Sequence, residues 1–136
     1  MPGDEAQRAR VMEGIRLALE PRGEILFACL HGSFQAGGPY RDVDIAVWLD
    51  SSRIPRESWS RYALDLSVGL HLALRVPVDV RVLNEAPLTF RYHALKGEPL
   101  VVRDRELLDE MRARTWDEYF DFLPFARRYL REALGE

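Results

Sequence analysis

Apolar positions along the chain change their period several times, and each change marks an element. Between Asp4 and Glu20 they recur every three or four residues. Met12, Ile15 and Leu19 form one stripe, widened by Val11 and Ala18. That period predicts an amphipathic helix. Asp4 and Glu5 suit its N-terminal turn, and Pro21-Arg22-Gly23 ends it. Glu24 to Leu30 is apolar nearly throughout, which predicts a central strand. Gly32 to Arg41 then reads as a loop, with three glycines and a proline that let backbone approach a ligand closely. Ser33 begins a short helical turn within it.

From Val43 to Leu49 the period becomes two. Val43, Ile45, Val47 and Leu49 share one face, as a half-buried strand requires. Asp50-Ser51-Ser52 is a turn. Pro55 to Leu74 returns to the helical period, with Tyr62, Leu66, Leu70 and Leu74 in a stripe and Pro55 in the first turn. Val76 to Leu83 alternates again, with Val78, Val80 and Val82 on one face. Asn84-Glu85-Ala86-Pro87 is a break, and a short helix follows from Pro87 to Leu95. Lys96-Gly97-Glu98 is a turn, and Leu100 to Val102 a short edge strand. Asp104 to Leu134 is helical, with Pro124 expected to kink or break it. Its apolar face is broad and aromatic. It either packs back on its own domain or offers a surface to a partner. Helices mixed with three to five strands predict an α+β (mixed α/β) domain.

At 136 residues the chain is expected to form one domain, 1–136, with a real core. Its net charge of −3 gives no positive field to hold nucleic acid, so no direct nucleic-acid contact is expected. The basic residues are 18 Arg and one Lys. The single cysteine, Cys29, sits in an apolar run and cannot form an internal disulfide. It is expected to be a buried thiol in a reducing, cytoplasmic setting. No signal peptide or membrane span is legible.

The candidate chemistry lies where the two alternating strands carry acids. Asp42 and Asp44 are two residues apart, so they share a strand face with α-carbons roughly 7 Å apart. Asp79 lies opposite Val78 and Val80. If both strands turn their valines to one core, Asp79 comes up beside Asp42 and Asp44. Solvated carboxylates on an exposed sheet are the competing explanation, but Asp is poor in strands. Three on equivalent positions fit a divalent cation, because hard cations take oxygen ligands. Three carboxylates can hold two Mg²⁺ ions about 4 Å apart, the arrangement used for in-line nucleotidyl displacement. Arg41 either neutralises a phosphate or faces solvent. Arg81 shares the Asp79 face, where it pairs with a carboxylate or meets a nucleotide. His31 reads as a structural histidine at a strand end. His71 and His93 show no metal spacing.

Gly32-Ser33, a short loop, Asp42-x-Asp44 and the later strand Asp79 together resemble the DNA polymerase beta-like nucleotidyltransferase superfamily. Within it, the short chain is similar to the minimal nucleotidyltransferases, such as the MntA-type antitoxins. The resemblance runs through nearly the whole chain. It sharpens the fold to a small mixed sheet with helices mainly on one side. It departs from the family at three points. Eight residues separate Ser33 from Asp42, fewer than usual; Arg41 stands where Ser is frequent; and His31 stands where an aromatic is common.

The resemblance implies a catalytic and metal-binding set of Asp42, Asp44 and Asp79, with Asp42 and Asp44 holding both Mg²⁺ ions. Asp79 would complete the second site and accept the proton of the incoming hydroxyl. Gly32 would admit the triphosphate of ATP, and Ser33 would donate to it. The activity implied is transfer of AMP from ATP to an acceptor hydroxyl. Larger relatives carry a second domain for the acceptor, for which 136 residues are expected to leave no room, so the acceptor is expected to be presented by another molecule. The MntA-type resemblance implies a HEPN-domain toxin as partner, modified on a tyrosine, with the chain as its antitoxin. Self-association into a homo-oligomer is compatible with this. Two alternatives stand beside it: a binding module that neutralises its partner by contact, and an aminoglycoside-type enzyme working with a separate helical subunit.

Overall fold

The computed structural model describes residues 5–135. Asp4, expected in the first helical turn, lies outside them. Helix α1 spans Glu5–Leu19 and leads into strand β1, Ile25–His31. A five-residue helix α2, Gly32–Ala36, precedes β2, Val43–Leu49. One 3-10 turn, Arg56–Ser58, opens onto α3, Trp59–Leu74, followed by β3, Val78–Val82. Then come α4 (Leu88–Leu95), β4 (Glu98–Val102) and α5 (Arg105–Ala133).

The sheet runs β3-β2-β1-β4. β1 is antiparallel to both β2 and β4, whereas β2 and β3 are parallel. A parallel pair needs a crossover, and α3 supplies it. β1 is therefore internal and β4 an edge strand, both as expected.

The period-two pattern sorts side chains between two cores. On one face, Ile45, Val47, Val78 and Val80 pack against Val11, Ile15 and Leu19 of α1 and Leu66, Leu70 and Leu74 of α3. This is the larger core, in line with helices lying mainly on one side. On the other face a smaller core joins Phe27, Cys29 and Ala46 to Ala94 and Leu95 of α4 and Leu108 and Met111 of α5. Cys29 is a free, buried thiol, and burial pushes its pKa up to about 11.

Two arginines close helix ends across these layers. Arg103 donates to the carbonyls of Leu19 (3.1 Å), Arg22 (3.2 Å) and Glu20 at the end of α1. Arg112 donates to Leu95 O (2.9 Å) and Gly97 O (3.3 Å) at the end of α4. Both satisfy carbonyls that a helix terminus leaves unpaired.

The break expected at Pro124 is absent. α5 runs unbroken through it from Arg105 to Ala133. Proline removes one N–H from the helical ladder. Here Pro124 and Phe120 are both exposed, so water can reach the carbonyl left without its partner. Of the two readings of this helix, packing back applies as far as Tyr119, whose ring stacks on Tyr92 at 3.7 Å. Beyond it, Phe125 and Tyr129 are 69% and 65% exposed.

Candidate functional site

The smaller core stops short of one end of the sheet, and the acidic residues lie there. The parallel register sets Asp44 directly beside Asp79, with Val43 beside Val78 and Ile45 beside Val80. The valines turn to the larger core, so both carboxylates face the other way. β1 extends the row, because His31 pairs with Asp44 from the opposite side. His31, Asp44 and Asp79 thus stand side by side across three strands.

Asp42 lies just before β2 and is exposed. Its charge still reaches the row. Burial raises the pKa of Asp44, and the negative charges of Asp79 and Asp42 raise it further, against the pull of Arg81. Asp79 Oδ2 accepts from Arg81 Nε at 3.2 Å. Of the two sequence readings of Arg81, pairing with a carboxylate is the one observed. Among the described residues, no group of three or more His, Cys, Asp or Glu side chains is gathered as a metal cage. The donor chemistry nonetheless suits a hard divalent cation: carboxylate oxygens held close enough to repel need a positive partner.

Gly32 is fixed by two independent requirements. Its φ of 80° is in the left-handed region, which glycine alone enters without strain. A Cβ built there would also stand 2.4 Å from Asp44 Oδ2. The backbone at Gly32 therefore lies directly against the carboxylate. Ser33 follows in α2, as the expected helical turn. With Tyr40, Arg41, Asp42 and Asp44 it lines a cavity of about 450 Å³. Arg41 is exposed and faces this cavity, so it fits both sequence readings.

Sequence reasoning missed the residue that holds the loop after α2. Arg8 of α1 donates to Phe34 O at 2.8 Å and to the Gly38 carbonyl. Its guanidinium also lies over the rings of Phe34 (5.2 Å) and Tyr40 (5.0 Å), which meet edge to face. Tyr40 OH donates to Gln7 Oε1 at 3.0 Å. No motif announces this clamp, since Arg8 is one of many arginines on a predicted helix.

His31 is more than a strand terminus. Its Nε2 is buried and has no hydrogen-bond partner among the described residues. Its ring meets Phe90 edge-on at 5.5 Å. Burial lowers its pKa, which keeps the imidazole neutral. Phe90 also carries Arg81 over its face at 5.4 Å. His71 serves locally instead, with Nδ1 3.0 Å from Val76 O.

Fold and site together have the form of a small nucleotide-handling α/β domain. The profile of the "Polymerase beta, Nucleotidyltransferase" family matches residues 13–106, and the chain belongs to that family. A bifunctional uridylyltransferase/uridylyl-removing enzyme from Erythrobacter litoralis is 33% identical over 103 residues. That match covers 72% of this chain but only 11% of the enzyme's length. Among solved structures, a toxin–antitoxin complex with AMP-PNP superposes with a TM-score of 0.70 at 20% identity, over 92% of this chain and 98% of that one. A complex of tri-AMPylated HEPN toxin with MNT antitoxin, from Shewanella oneidensis, gives 0.69 at 19% identity, over 95% and 99%. Among the described residues, no helix is long and apolar enough to cross a membrane.

Proposed function

We propose that residues 1–136 act as one nucleotidyltransferase domain that moves AMP from ATP to a tyrosine hydroxyl of a HEPN-type toxin, and so serve as its antitoxin. The observation that carries the reading is the Asp44–Asp79 register, with the Gly32 backbone seated against Asp44. Family membership supports nucleotidyl transfer. The AMPylated toxin in the similar complex supports a protein acceptor. A reducing cytosol suits the unpaired Cys29.

In this reading the triphosphate lies in the cavity between Ser33, Arg41 and Asp42. Ser33 Oγ donates to a phosphate oxygen, and Arg41 neutralises charge there. The acceptor oxygen forms a bond to the α-phosphorus while the bond to the leaving pyrophosphate breaks, and pyrophosphate departs with the electron pair. The acceptor's proton passes to Asp79, which Arg81 orients through Oδ2. Asp42, Asp44 and Asp79 would hold two Mg²⁺ ions. When bound, these supply charge stabilisation to attacking and leaving oxygens. Neutral His31 backs the row from β1. Much of the acceleration is positional, because reactants held in line need no further ordering.

The test is incubation with α-labelled ATP and Mg²⁺, with and without the HEPN protein, using wild type and the Asp42→Asn/Asp44→Asn variant. Label reaching a partner tyrosine in wild type alone is the expected result. A parallel series with UTP is warranted by the uridylyltransferase relative and settles which base is used. A tight complex with no label transferred from either nucleotide refutes the enzymatic reading. It would leave a binding module acting by contact, for which the short loop of residues 34–41 and the exposed end of α5 are the favouring features.

A further inference from the structure

β3 is the outermost strand of the sheet, and its far edge is open. Val43 N–H donates to Pro77 O at 2.9 Å, and Leu83 N–H donates to Val47 O at 2.8 Å. Residues 77, 79, 81 and 83 therefore face β2. In a parallel ladder the residues between them, Val78, Val80 and Val82, turn their backbone groups outward. Val80 N–H is met by Ser67 Oγ of α3 at 2.9 Å. Neither the N–H nor the carbonyl of Val82 has a hydrogen-bond partner among the described residues.

A groove of about 560 Å³ runs along this edge. One wall is α3, through Trp59, Ala63 and Leu64; the other is the segment from Asn84 to Phe90. Asp79 and Arg81 also line it, so the groove and the carboxylate row share a residue. Leu64 is 59% exposed on the groove wall. Sheet edges left unpaired are ordinarily blunted by charge, proline or a covering element. Here an open backbone pair meets an apolar wall, and a second chain in extended conformation satisfies both at once.

We infer that this groove seats an extended segment of the acceptor polypeptide, paired to Val82 by its backbone, which carries its hydroxyl to Asp79. The inference rests on the protein-acceptor reading above and adds how that acceptor is held. Asp79 lies about 10 Å from Val82 along β3, two or three residues of an extended strand. A backbone-paired acceptor is recognised by conformation more than by side-chain identity. The apolar wall adds preference for an apolar residue on the α3 side.

The probe is a capped peptide, acetyl-Thr-Val-Thr-Tyr-Thr-Val-Thr-amide, compared with the same peptide N-methylated on alternate residues and with N-acetyltyrosinamide. Transfer from α-labelled ATP and hydrogen exchange at the Val82 amide are both measured on the full chain. The expected result is slowed exchange at Val82 with the first peptide only. Its KM as acceptor should be about tenfold lower than that of the N-methylated form, the factor that one net hydrogen bond of this kind accounts for. Leu64→Glu should raise that KM about as much, whereas Leu17→Glu on the exposed side of α1 should not change it. Equal KM values for the two peptides, or unchanged exchange at Val82, overturn the docking. Protection at Val82 with no transfer to any acceptor upholds the docking and removes the transferase reading. Transfer to all three acceptors alike does the reverse.

Discussion

Replacing Gly32 by alanine tests the site at its tightest point. Two effects act there, and they separate. The first is conformational: the φ of 80° places an alanine in the left-handed region, which costs about 1–2 kcal/mol. The second is steric: the new Cβ meets Asp44 Oδ2 at 2.4 Å, far inside contact distance. That atom is the free end of a short side chain, so the carboxylate can swing away without moving the strand. Stability should then fall by little more than the backbone term. At about 3–6 °C for each kcal/mol in a domain of this size, the thermal midpoint drops by roughly 3–12 °C.

The activity should fall much further. The carboxylate that swings aside is the central member of the row, and a displacement of about 1 Å in a positioned group can remove about a hundredfold in rate. Thermal unfolding by circular dichroism and transfer of label from ATP, on the same preparations, measure the two effects. Asp44→Ala supplies the control, since in that background the added methyl meets no carboxylate. Adding Gly32→Ala to Asp44→Ala should cost only the backbone term and no further activity. The two substitutions should therefore be non-additive in rate and nearly additive in stability. A Gly32→Ala protein with wild-type transfer and a wild-type midpoint would refute the placement of Gly32 against Asp44.

Further predictions concern charge, the loop and the last helix. Asp44→Asn should raise the thermal midpoint at pH 7 in metal-free buffer. Asp44 has a raised pKa in the folded protein, so the fold loses stability as pH climbs from the ordinary 3.8 through that raised value, and asparagine escapes this loss. The gain should vanish below pH 3.8, and a midpoint lowered at pH 7 would contradict the like-charge picture. Adding Mg²⁺ should then raise the midpoint of wild type and not of Asp44→Asn, by mass action on the folded state. Arg8→Ala should loosen residues 34–40, raising the KM for ATP and speeding their hydrogen exchange, at a stability cost of about 1–2 kcal/mol. Unchanged exchange in that segment would show the clamp to be dispensable. Pro124→Ala should slow hydrogen exchange over the last turns of α5 while leaving the main unfolding midpoint in place, because Phe125 and Tyr129 beyond it are exposed. A raised main midpoint would argue that the end of α5 does pack on the domain.

Much of this fold was legible because burial leaves a period. Val43, Ile45, Val47, Val78 and Val80 announce two strands sharing a core, and the leucines at 66, 70 and 74 announce the helix between them. What a period cannot carry is pairing. Alternation puts Asp42 and Asp44 on one face, yet it is silent on which of them meets Asp79. The parallel register decides for Asp44 and leaves Asp42 outside the strand, where its charge acts from a distance. The same limit hid the second core. Phe27 and Cys29 share the face that His31 continues, but only the packing of α4 and α5 reveals that this face is covered at one end and bare at the other. Pro124 does not break the helix, and because Phe120 and Pro124 are both exposed, water can take the carbonyl that the proline leaves without its N–H.

The bare end of the second face explains why acids can sit in the sheet at all. A carboxylate in a fully covered strand would be desolvated with no partner, a cost the fold could not offset. Where α4 and α5 end, the strand tips keep the alternation that aims Asp44 and Asp79 in parallel while remaining open to solvent and ligand. Only half-burial combines the two: enough enclosure to raise the pKa of Asp44, enough opening to leave a cavity beside Ser33 and Arg41. His31 lies at the same boundary. Its ring is held there edge-on against Phe90, at the border between the smaller core and the carboxylate row.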